Sequence, residues 1–414
     1  MNRNVPKLRF KEFSDEWEEK RLGNICSLIT KGTTPKKFSE SGVNFIKIES
    51  ISGNNVEKSK CLFIDKDIHR TELKRSILQE NDILFAIAGA TIGKVAIVSK
   101  NILPANTNQA LSIIRLKDDI NNKFILNILT SKIMKKYIES NISVGAQPNL
   151  NLEQMNNFKF FMPSLEEQER IANFFTILDS LIEEQDGKVS DLELYKKGML
   201  QKIFKQEIRF KDENGYDYPE WEESKLGDLG ATYSGLSGKT KEDFGFGVGK
   251  YITYMNVFKN IKMNINMIDL VDINKNEKQN KVLKGDILFT ASSETPEEVG
   301  MASVCDKEIE NLYLNSFCFG FRLNSFDRIN YTFMGYFFRS PKIRRKISIL
   351  AQGSTRYNIS KTELMKINIY IPCLEEQTRI ADFLANIDAI IEEEKKKFED
   401  LRQWKKGLLQ HMFI

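Results

Sequence analysis

The feature that most constrains this chain is a 42-residue stretch that occurs twice. Residues 163–204 read PSLEEQERIANFFTILDSLIEEQDGKVSDLELYKKGMLQKIF, and residues 372–413 read PCLEEQTRIADFLANIDAIIEEEKKKFEDLRQWKKGLLQHMF. The copies are offset by 209 residues without a gap, and neither contains proline after its first position. Proline is tolerated in the first turn of a helix but not in its interior. Each copy therefore predicts one long helix that begins just after a proline.

The sequence outside these helices is also repeated, but more loosely. The segments around Trp17 and Trp221 match, as do the strand-like runs that begin at Asp82 and Asp286. Further matched positions are Leu22 and Leu226, Gly23 and Gly227, Arg115 and Arg322, and Asn149 and Asn358. A drifting offset is expected when loops differ in length on a shared scaffold, so the chain is predicted to be a tandem duplication. Its predicted segments are a first block (1–162), a central helix (163–206), a second block (207–371) and a C-terminal helix (372–414).

Within each block the pattern predicts mostly strands. Short runs rich in Ile, Val, Phe and Tyr are separated by Gly, Asn, Asp and Pro. These runs are NFIKIESI, DILFAIAG, KVAIVS and ALSIIRL in the first block, and YITYMNVF, DILFTAS and FCFGFRL in the second. One internal helix is predicted in each block, over 122–140 and over 331–350, the second interrupted at Pro341. We expect an α+β fold with a small, bent sheet in each block.

The two long helices carry an apolar seam with alternating spacings of four and three residues. Each seam is interrupted twice, by Gln185 and Lys196 in the first copy and by Glu394 and Lys405 in the second. A parallel pair in register would bury Lys196 against Lys405, which is costly for two like charges. An antiparallel pair whose opposed residue numbers sum to 590 places Lys196 against Glu394 and Gln185 against Lys405. We therefore expect antiparallel helices in that register, which would give the chain an internal pseudo-two-fold symmetry.

Composition limits the class of protein. A chain of 414 residues with 41% hydrophobic content suits two or three globular domains. No apolar run approaches the length needed to span a bilayer, and the N-terminus lacks the apolar core of a signal peptide, so we expect a cytoplasmic protein without membrane association. Five cysteines without a C-x-x-C pair argue against a zinc site, and two histidines leave little from which to build a triad or a metal cage.

Self-contained catalysis is not predicted. GATIGK (89–94) is one residue short of a phosphate-binding loop and lacks the Ser or Thr after the lysine, so a turn between strands is the favoured interpretation. GFGVGK (245–250) has the wrong glycine spacing for a dinucleotide site. The N-P-P-Y and D-P-P-Y tetrapeptides of amino-methyltransferases do not occur. The acidic pairs Glu166-Glu167 and Glu375-Glu376 are explained by the preference of carboxylates for helix N-termini.

The net charge is only +4, but lysine and arginine are concentrated in the two blocks. A polyanionic partner such as nucleic acid is one explanation of this distribution. The other explanation is an ordinary solvated surface that is rich in lysine. Charge alone leaves both open.

The architecture of two divergent blocks, each followed by a nearly identical long helix, resembles the DNA specificity subunit of type I restriction-modification systems. The segments that carry the resemblance are PSLEEQERIA and PCLEEQTRIA, WEEKRLGNI and WEESKLGDL, KGTTPKK, GATIGKVAIV and GAQPNLNLEQM. The resemblance covers essentially the whole chain. It implies two target recognition domains, each reading one half of a bipartite site in double-stranded DNA, and paired helices that set the gap.

The resemblance also implies partners. The helices would dock two methyltransferase subunits, and restriction and translocase subunits would complete the complex. S-adenosylmethionine, ATP and Mg are then expected on those partners, and this chain is expected to be a non-catalytic recognition subunit without a cofactor of its own.

Corresponding loops of the two blocks contain polar and basic residues that could contact DNA. Thr, Lys, Ser, Asn, Gln, Arg and Tyr are the side chains that contact phosphates and base edges. The candidates of the first block are Lys31, Thr33, Thr34, Lys36, Lys37, Thr91, Lys94, Gln147 and Asn149. The candidates of the second block are Ser237, Lys239, Lys241, Ser292, Ser293, Arg356, Tyr357 and Asn358. For each of them a turn residue or a solvated side chain is an equally open interpretation. The cluster Arg339, Lys342, Arg344, Arg345 and Lys346 could hold the DNA backbone or form a solvated helix face.

Two rival functions remain open at this level. One is a chain that modifies or cleaves DNA by itself, which the missing methyltransferase tetrapeptide disfavours. The other is a coiled-coil interaction protein that has no role on DNA and would show no salt-dependent duplex binding.

Overall fold

The computed structural model describes residues 4–142, 148–274 and 276–414. The chain divides into two compact units, unit 1 (Met1–Asp186 with Lys396–Ile414) and unit 2 (Gly187–Lys395). Each unit thus combines one block with parts of both long helices. The four-segment division of the sequence stays a prediction.

The elements of unit 1 follow the chain from an N-terminal strand to the first long helix. Its strands are β1 (Glu18–Arg21), β2 (Cys26–Lys31), β3 (Val43–Ile46), β4 (Ile51–Ser52), β5 (Asn55–Val56), β6 (Leu62–Ile64), β7 (Ile83–Ala86), β8 (Val95–Ile97), β9 (Ala105–Thr107), β10 (Leu111–Leu116) and β11 (Lys159–Met162). Its helices are α1 (Leu22–Ile25), α2 (Lys66–Arg70), α3 (Asn122–Thr130), α4 (Lys132–Asn141), α5 (Leu152–Asn157) and the start of α6 (Leu165–Phe204).

Unit 2 repeats this order. Its strands are β12 (Glu222–Lys225), β13 (Gly230–Ser234), β14 (Phe244–Ile252), β15 (Ile268–Val271), β16 (Ile287–Thr290), β17 (Ser292–Ser293), β18 (Ala302–Val304), β19 (Leu312–Leu314), β20 (Cys318–Leu323), β21 (Ala351–Gln352), β22 (Tyr357–Ile359) and β23 (Asn368–Ile371). Its helices are α7 (Leu226–Leu229), α8 (Tyr254–Lys259), α9 (Tyr331–Arg339), α10 (Pro341–Ile349), α11 (Lys361–Met365) and most of α12 (Leu374–His411).

The sheets of the two units share a central pattern. In unit 1 the order is β2-β10-β7-β8-β5-β4, and in unit 2 it is β13-β20-β16-β18. A smaller sheet with one parallel pair accompanies each, β6-β3-β9 in unit 1 and β15-β14-β19 in unit 2. A two-stranded ribbon, β1-β11 or β12-β23, leads into each long helix. The predicted α+β fold with two similar domains and two long helices is confirmed.

Two local predictions were wrong. The helix predicted over 122–140 is broken at Ser131, whose extended backbone ends α3 and whose hydroxyl accepts a hydrogen bond from the Ile133 amide at the start of α4. The second-block pair α9 and α10 breaks at the equivalent Ser340, just before Pro341. YITYMNVF was predicted as a strand, but its second half is helix α8, because the Thr253 hydroxyl caps the Asn256 amide.

The core of each unit closes around the end of a long helix. Phe413 in unit 1 lies with its ring centroid 5.6 Å from that of Phe124 and 5.9 Å from that of Phe175. Phe204, the equivalent residue of unit 2, lies 5.6 Å from Phe333 and 6.4 Å from Trp221. Buried aromatic side chains of this size dominate core energetics. Losing the end of either helix would therefore open a core.

Within each unit the paired segments of α6 and α12 run antiparallel, as predicted. In unit 2, Lys188 contacts Glu394 at 3.0 Å, while Lys196, further along α6, contacts Asp388, further back on α12. In unit 1, Lys405 contacts Asp179, whereas Phe413 lies beside Phe175.

Each of the two lysines forms an ion pair with an aspartate that was not among the predicted seam partners. Lys196 contacts Asp388, and Lys405 contacts Asp179. The pairings of Lys196 with Glu394 and of Lys405 with Gln185 stay predictions. Both aspartate side chains are about one-third exposed at the edge of the seam, which leaves the ion pair some hydration. A long lysine stem can reach along the helix to such a position, and so avoids the desolvation of a fully buried pair.

A glutamate of the helix N-terminus anchors each block to its long helix. Glu167 is 1% exposed and accepts two hydrogen bonds of 2.7 Å from Arg9 and one of 3.3 Å from the Trp17 indole. Glu376 accepts the equivalent bonds from Arg209 (3.2 and 2.8 Å) and Trp221 (3.2 Å). These carboxylates therefore do more than favour a helix N-terminus, since each holds a buried charge-assisted network.

Candidate nucleic-acid interface

The central strands are held in place by the same ion pair in both units. Arg115 on β10 donates two hydrogen bonds of 2.8 Å to the carboxylate of Asp82, just before β7. In unit 2, Arg322 on β20 contacts Asp286 at 2.9 and 2.7 Å. Tyr233 donates a further bond of 2.6 Å to Asp286, and burial together with this anionic neighbour raises the pKa of the tyrosine. A planar, bidentate arginine fixes the position of the strands from which the candidate loops extend.

The KGTTPKK loop begins where β2 ends. The Gly32 and Thr33 amides donate to the Leu111 and Thr107 carbonyls at 3.3 and 3.0 Å, so this loop starts against β10. A Cβ on Gly32 would lie 2.0 Å from the Thr107 carbonyl oxygen, so only glycine allows this approach. The predicted contact residues of this loop, Lys31, Thr33, Thr34, Lys36 and Lys37, are all exposed.

The equivalent loop of unit 2 uses the same backbone arrangement. The Gly235 and Leu236 amides donate to the Cys318 and Leu314 carbonyls, and a Cβ on Gly235 would lie 2.2 Å from the Asn315 carbonyl oxygen. Beyond it, Ser237 and Lys241 are exposed.

Lys239 is held by an acidic side chain of its own unit. Its side chain is 5% exposed, and its ammonium lies 2.6 Å from Glu277, whose pKa this hydrogen bond lowers. Lys239 therefore stabilises the loop, and its predicted contact with DNA stays a prediction.

The loop after β7 forms a turn in unit 1, as GATIGK was predicted to do. The Gly93 amide donates to the Ala86 carbonyl, and β8 follows antiparallel to β7. Thr91 is exposed on this turn, but Lys94 is half-buried and its ammonium donates to the Ile48 carbonyl at 3.3 Å. Lys94 is therefore held on the protein, which weakens its predicted role.

Ser292 and Ser293, two of the predicted contact residues, are buried. They form β17, in which Ser292 pairs with Asn358 and Ser293 with Tyr357. They are 4% and 6% exposed. The Ser293 hydroxyl contacts Glu298 at 3.3 Å, and the Tyr254 hydroxyl donates to the Ser292 carbonyl at 2.8 Å. These serines therefore support the neighbouring strand β22, which carries the exposed Asn358.

Two equivalent segments lie at equivalent sheet edges of the two units: the segment before helix α5 in unit 1 and β22 in unit 2. Asn149 pairs with Ala88 in an antiparallel bridge, at the position where Asn358 pairs with Ser292. Asn149, Asn358 and Arg356 are exposed, and Tyr357 is half-buried. Gln147 lies outside the described residues. The structure thus brings this segment beside Ala88, which follows the end of β7, in unit 1 and beside β17 in unit 2, which are equivalent positions of the two sheets.

A cleft of about 510 Å³ lies at this edge in unit 1. It is lined by Lys31, Ile87, Ala88, Gln109, Ala110, Pro148, Asn149, Leu150, Asn151 and Leu152. Two predicted residues, Lys31 and Asn149, therefore come together, and the cleft offers an ammonium and carboxamides to a ligand. Lysine and asparagine are side chains that contact phosphates and purine edges.

Gln109 was missed by the sequence analysis, although it lines this cleft and accepts a hydrogen bond from the Thr34 hydroxyl. The only signal in the sequence was its position beside Asn108 at the start of a predicted strand. A second cleft of unit 1, of about 880 Å³, was also missed. Its charged lining is mostly basic, with Lys123, Lys132, Lys135, Lys136, Arg402, Lys405 and Lys406 against Glu139, Asp179 and Glu183.

The cluster on α9 and α10 is largely structural. Arg339 donates to the Ala302, Val257, Phe258 and Asn260 carbonyls, and Arg344 donates to the Gly300, Glu297 and Val299 carbonyls. Burial lowers the pKa of each guanidinium to about 10. Lys346 donates to the Asn368 carbonyl. These three side chains therefore hold the fold together, whereas Lys342 and Arg345 are exposed.

The described residues contain neither a cluster suited to a metal ion nor a helix suited to a membrane. Among the described residues, no group of three or more His, Cys, Asp or Glu side chains could hold a metal ion. Over the same residues, no helix has the length and apolar character needed to cross a membrane.

Comparison with known proteins agrees with this geometry. The family model described as type I restriction modification DNA specificity domain matches residues 14–193 and 218–403. The type I restriction enzyme MjaVIII specificity subunit of Methanocaldococcus jannaschii is 25% identical over 95% of this chain and 91% of its own length.

Solved structures share the fold. One matching chain comes from a structural study of complex assembly and conformational transition of the type I R-M system. It aligns with a TM-score of 0.61 at 18% identity and covers 95% of this chain and 96% of that one. The S subunit of the type I restriction-modification system from M. genitalium aligns with a TM-score of 0.56 at 15% identity, covering 99% of both chains.

Proposed function

This chain belongs to the type I restriction-modification DNA specificity family, and from that premise we propose that each of its two recognition domains reads one half of a bipartite site in double-stranded DNA. The paired helices would set the unread gap between the half-sites. The chain would be a non-catalytic recognition subunit, and methylation and cleavage would take place on its partners.

One observation carries this proposal. In each unit the same edge gathers exposed polar side chains that are anchored by buried, nearly identical contacts. The Asp–Arg pair and the glycine after the first long strand are shared. The equivalent asparagines Asn149 and Asn358 are the same in both units, but the exposed residue before the shared glycine differs, Lys31 in unit 1 and Ser234 in unit 2. A constant frame with variable base-contacting side chains is expected of two readers that recognise different sequences.

The long helices supply candidate surfaces for protein partners. Leu181 and Trp404 in unit 1 are 46% and 52% exposed, and their equivalents in unit 2, Ile390 and Tyr195, are 47% and 51% exposed. Large apolar side chains at equivalent positions of both repeats favour binding of two copies of one partner, and aromatic residues are enriched at such interfaces. We propose that these side chains dock two methyltransferase subunits.

The remaining parts of the complex follow from this assignment. Restriction and translocase subunits would complete it. S-adenosylmethionine would be bound by the methyltransferase subunits, and ATP and Mg by the translocase subunits.

Genome-wide mapping of methylated adenines tests the proposal directly. Strains with and without this gene are compared in the presence of the methyltransferase subunit. The expected result is one bipartite motif that disappears with the gene. Exchange of residues 20–160 for the equivalent block of another specificity subunit should change one half-site and leave the other unchanged. An unchanged methylation pattern in the deletion strain would contradict the proposal.

Two measurements on purified protein separate the rival functions. Methyl transfer by the chain alone would favour a self-contained enzyme. Absence of salt-dependent duplex binding by the chain with its methyltransferase subunit would favour an interaction protein without a role on DNA.

A further inference from the structure

We propose that Arg356 reads a guanine in the half-site of the second recognition domain, and that Phe317 is the residue that positions it. This inference rests on the proposed function and names the base and the two side chains. Its basis is an exposed arginine stacked on an exposed aromatic ring, at the edge where the candidate residues of unit 2 converge.

The backbone fixes both residues against Ala291. Phe317 lies immediately before β20, and its carbonyl accepts a 2.8 Å hydrogen bond from the Ala291 amide. Arg356 immediately precedes β22, where the Ile359 amide donates to the Ala291 carbonyl at 3.0 Å. Gly353 makes the intervening turn tight, because a Cβ there would lie 2.1 Å from the Arg356 carbonyl oxygen. The two side chains are therefore presented by ordered backbone.

The side chains meet outside the sheet. The centre of the Arg356 guanidinium lies 5.1 Å from the centroid of the Phe317 ring. Phe317 is 52% exposed, so the ring is not part of the core. A guanidinium over an aromatic ring is stabilised by the ring quadrupole, and its rotational freedom is reduced.

The guanidinium of Arg356 has no other assigned role. Within the described part of the chain it has no hydrogen-bond or ion-pair partner, whereas other arginines of unit 2 do. Arg322 contacts Asp286, Arg209 contacts Glu376, and Arg339 and Arg344 donate to backbone carbonyls. The N–H donors of the Arg356 guanidinium are therefore available to a ligand at a defined position on the surface.

The chemistry of the guanidinium selects the base. Its two parallel N–H groups match the O6 and N7 acceptors of guanine in the major groove, and this is the commonest base-specific contact of arginine. Adenine presents one acceptor and one donor at the same edge, so it cannot accept both bonds. A stacked, pre-oriented fork is therefore best suited to guanine.

The first domain is built differently at the same place. Its residue equivalent to Phe317 is Ala110, which lines the 510 Å³ cleft with Lys31, Gln109 and Asn149. An alanine offers no ring on which a guanidinium could stack. The aromatic support is thus specific to the second domain, as expected for a residue that determines which sequence is read.

The test uses the chain in complex with its methyltransferase subunit and a duplex that carries the bipartite motif found by methylation mapping. Each guanine of the motif is replaced in turn by 7-deazaguanine, which lacks the N7 acceptor. Binding of the wild-type complex should weaken about 5- to 50-fold at one guanine. Arg356→Ala removes the donors altogether, so it should bind the unmodified duplex more weakly and respond less than 2-fold to the same replacement.

Phe317→Ala should reduce discrimination at that same guanine by about 2- to 5-fold, and Phe317→Tyr should restore it because the ring is retained. Matched controls are Arg328→Ala, at an exposed arginine paired with Glu222, and Phe326→Ala, at a 51% exposed phenylalanine whose ring packs edge-on against Tyr331. Both controls should leave the response to 7-deazaguanine unchanged.

The outcomes separate this inference from the proposed function. A wild-type complex without sequence preference would overturn both. A bipartite preference whose second-domain half-site contains no guanine on either strand, or a guanine response that persists in Arg356→Ala, would overturn the role of Arg356 alone. Equal effects of Phe317→Ala and Phe326→Ala would remove the positioning role of Phe317.

Discussion

The two recognition domains differ least where they are buried and most where they are exposed. The Glu167 network in unit 1 and the Glu376 network in unit 2 use the same residue types, and so do the Asp82 and Asp286 ion pairs. At one exposed edge, by contrast, the units differ after a phenylalanine that packs in the same way in both, Phe38 against Phe45 and Phe244 against Tyr251. The next four residues read SESG in unit 1 and GFGV in unit 2. The two copies have therefore kept the residues whose contacts hold the sheets together, whereas exposed residues without such contacts differ between them.

The largest expected effect is loss of a buried anchor. Glu167→Ala leaves the Arg9 guanidinium and the Trp17 indole without their shared acceptor, and should destabilise unit 1 by about 3–5 kcal/mol. Glu376→Ala should do the same in unit 2. Urea unfolding followed by tryptophan fluorescence measures both. Glu166→Ala, at the exposed neighbouring position, is the control. A loss below about 1 kcal/mol in either unit would break the equivalence of the anchors.

The strand ion pairs should differ in strength between the domains. Asp286→Asn removes the charge that accepts from Arg322 and from Tyr233, whereas Asp82→Asn affects Arg115 without a tyrosine hydroxyl. The change in unit 2 should therefore be greater by about 1 kcal/mol, the net contribution of one hydrogen bond. When Tyr233 is first replaced by Phe, the effect of Asp286→Asn should fall close to that of Asp82→Asn. Chemical denaturation of Asp82→Asn, Asp286→Asn, Tyr233→Phe and the Tyr233→Phe/Asp286→Asn double variant gives the comparison. Equal losses of stability for the two single aspartate variants would contradict it.

The helix pairing can be tested by double-mutant cycles in unit 2. Lys196 and Asp388 should show a coupling free energy of about 1 kcal/mol, since both side chains are partly shielded. Lys196 and Glu394, the pair predicted from the sequence, should show coupling near zero, within about 0.3 kcal/mol. The equivalent cycle for Lys405 and Asp179 should match that for Lys196 and Asp388. Stronger coupling to Glu394 would restore the sequence-based register.

The smallest stability effect is expected at the exposed edge. Gly245–Val248 lie outside the strand ladder, because Phe244 and Gly249 both pair with Val271. Phe246 and Val248 are 53% and 75% exposed. Replacing the exposed Phe246 by Glu and Val248 by Ser, while Gly245 and Gly247 keep their positive φ angles of 90° and 98°, should change stability by no more than about 0.5 kcal/mol. Thermal unfolding measures that change, and a loss above about 2 kcal/mol would show that this segment belongs to the frame.

Repetition made much of the fold predictable from sequence. The repeated 42-residue stretch identified the long helices and the tandem arrangement. The matched Asp and Arg residues indicated that the two blocks share one arrangement of strands. Individual contact residues were less predictable. Lys239 and Arg356 are both cations in loops, yet one is buried against Glu277 and the other stacks on Phe317. Their different surroundings come from residues 38 and 39 positions away in the chain.

The sequence by itself determined that the chain is duplicated and that its long helices pair antiparallel, because like charges at equivalent seam positions exclude the parallel arrangement. It could not determine which polar side chains remain free. Ser292 and Ser293 are buried in a strand that pairs with residues more than sixty positions away in the chain. Only the tertiary structure decides such contacts, since the solvent exposure of a side chain is set by the segments that pack around it and not by its neighbours in the sequence.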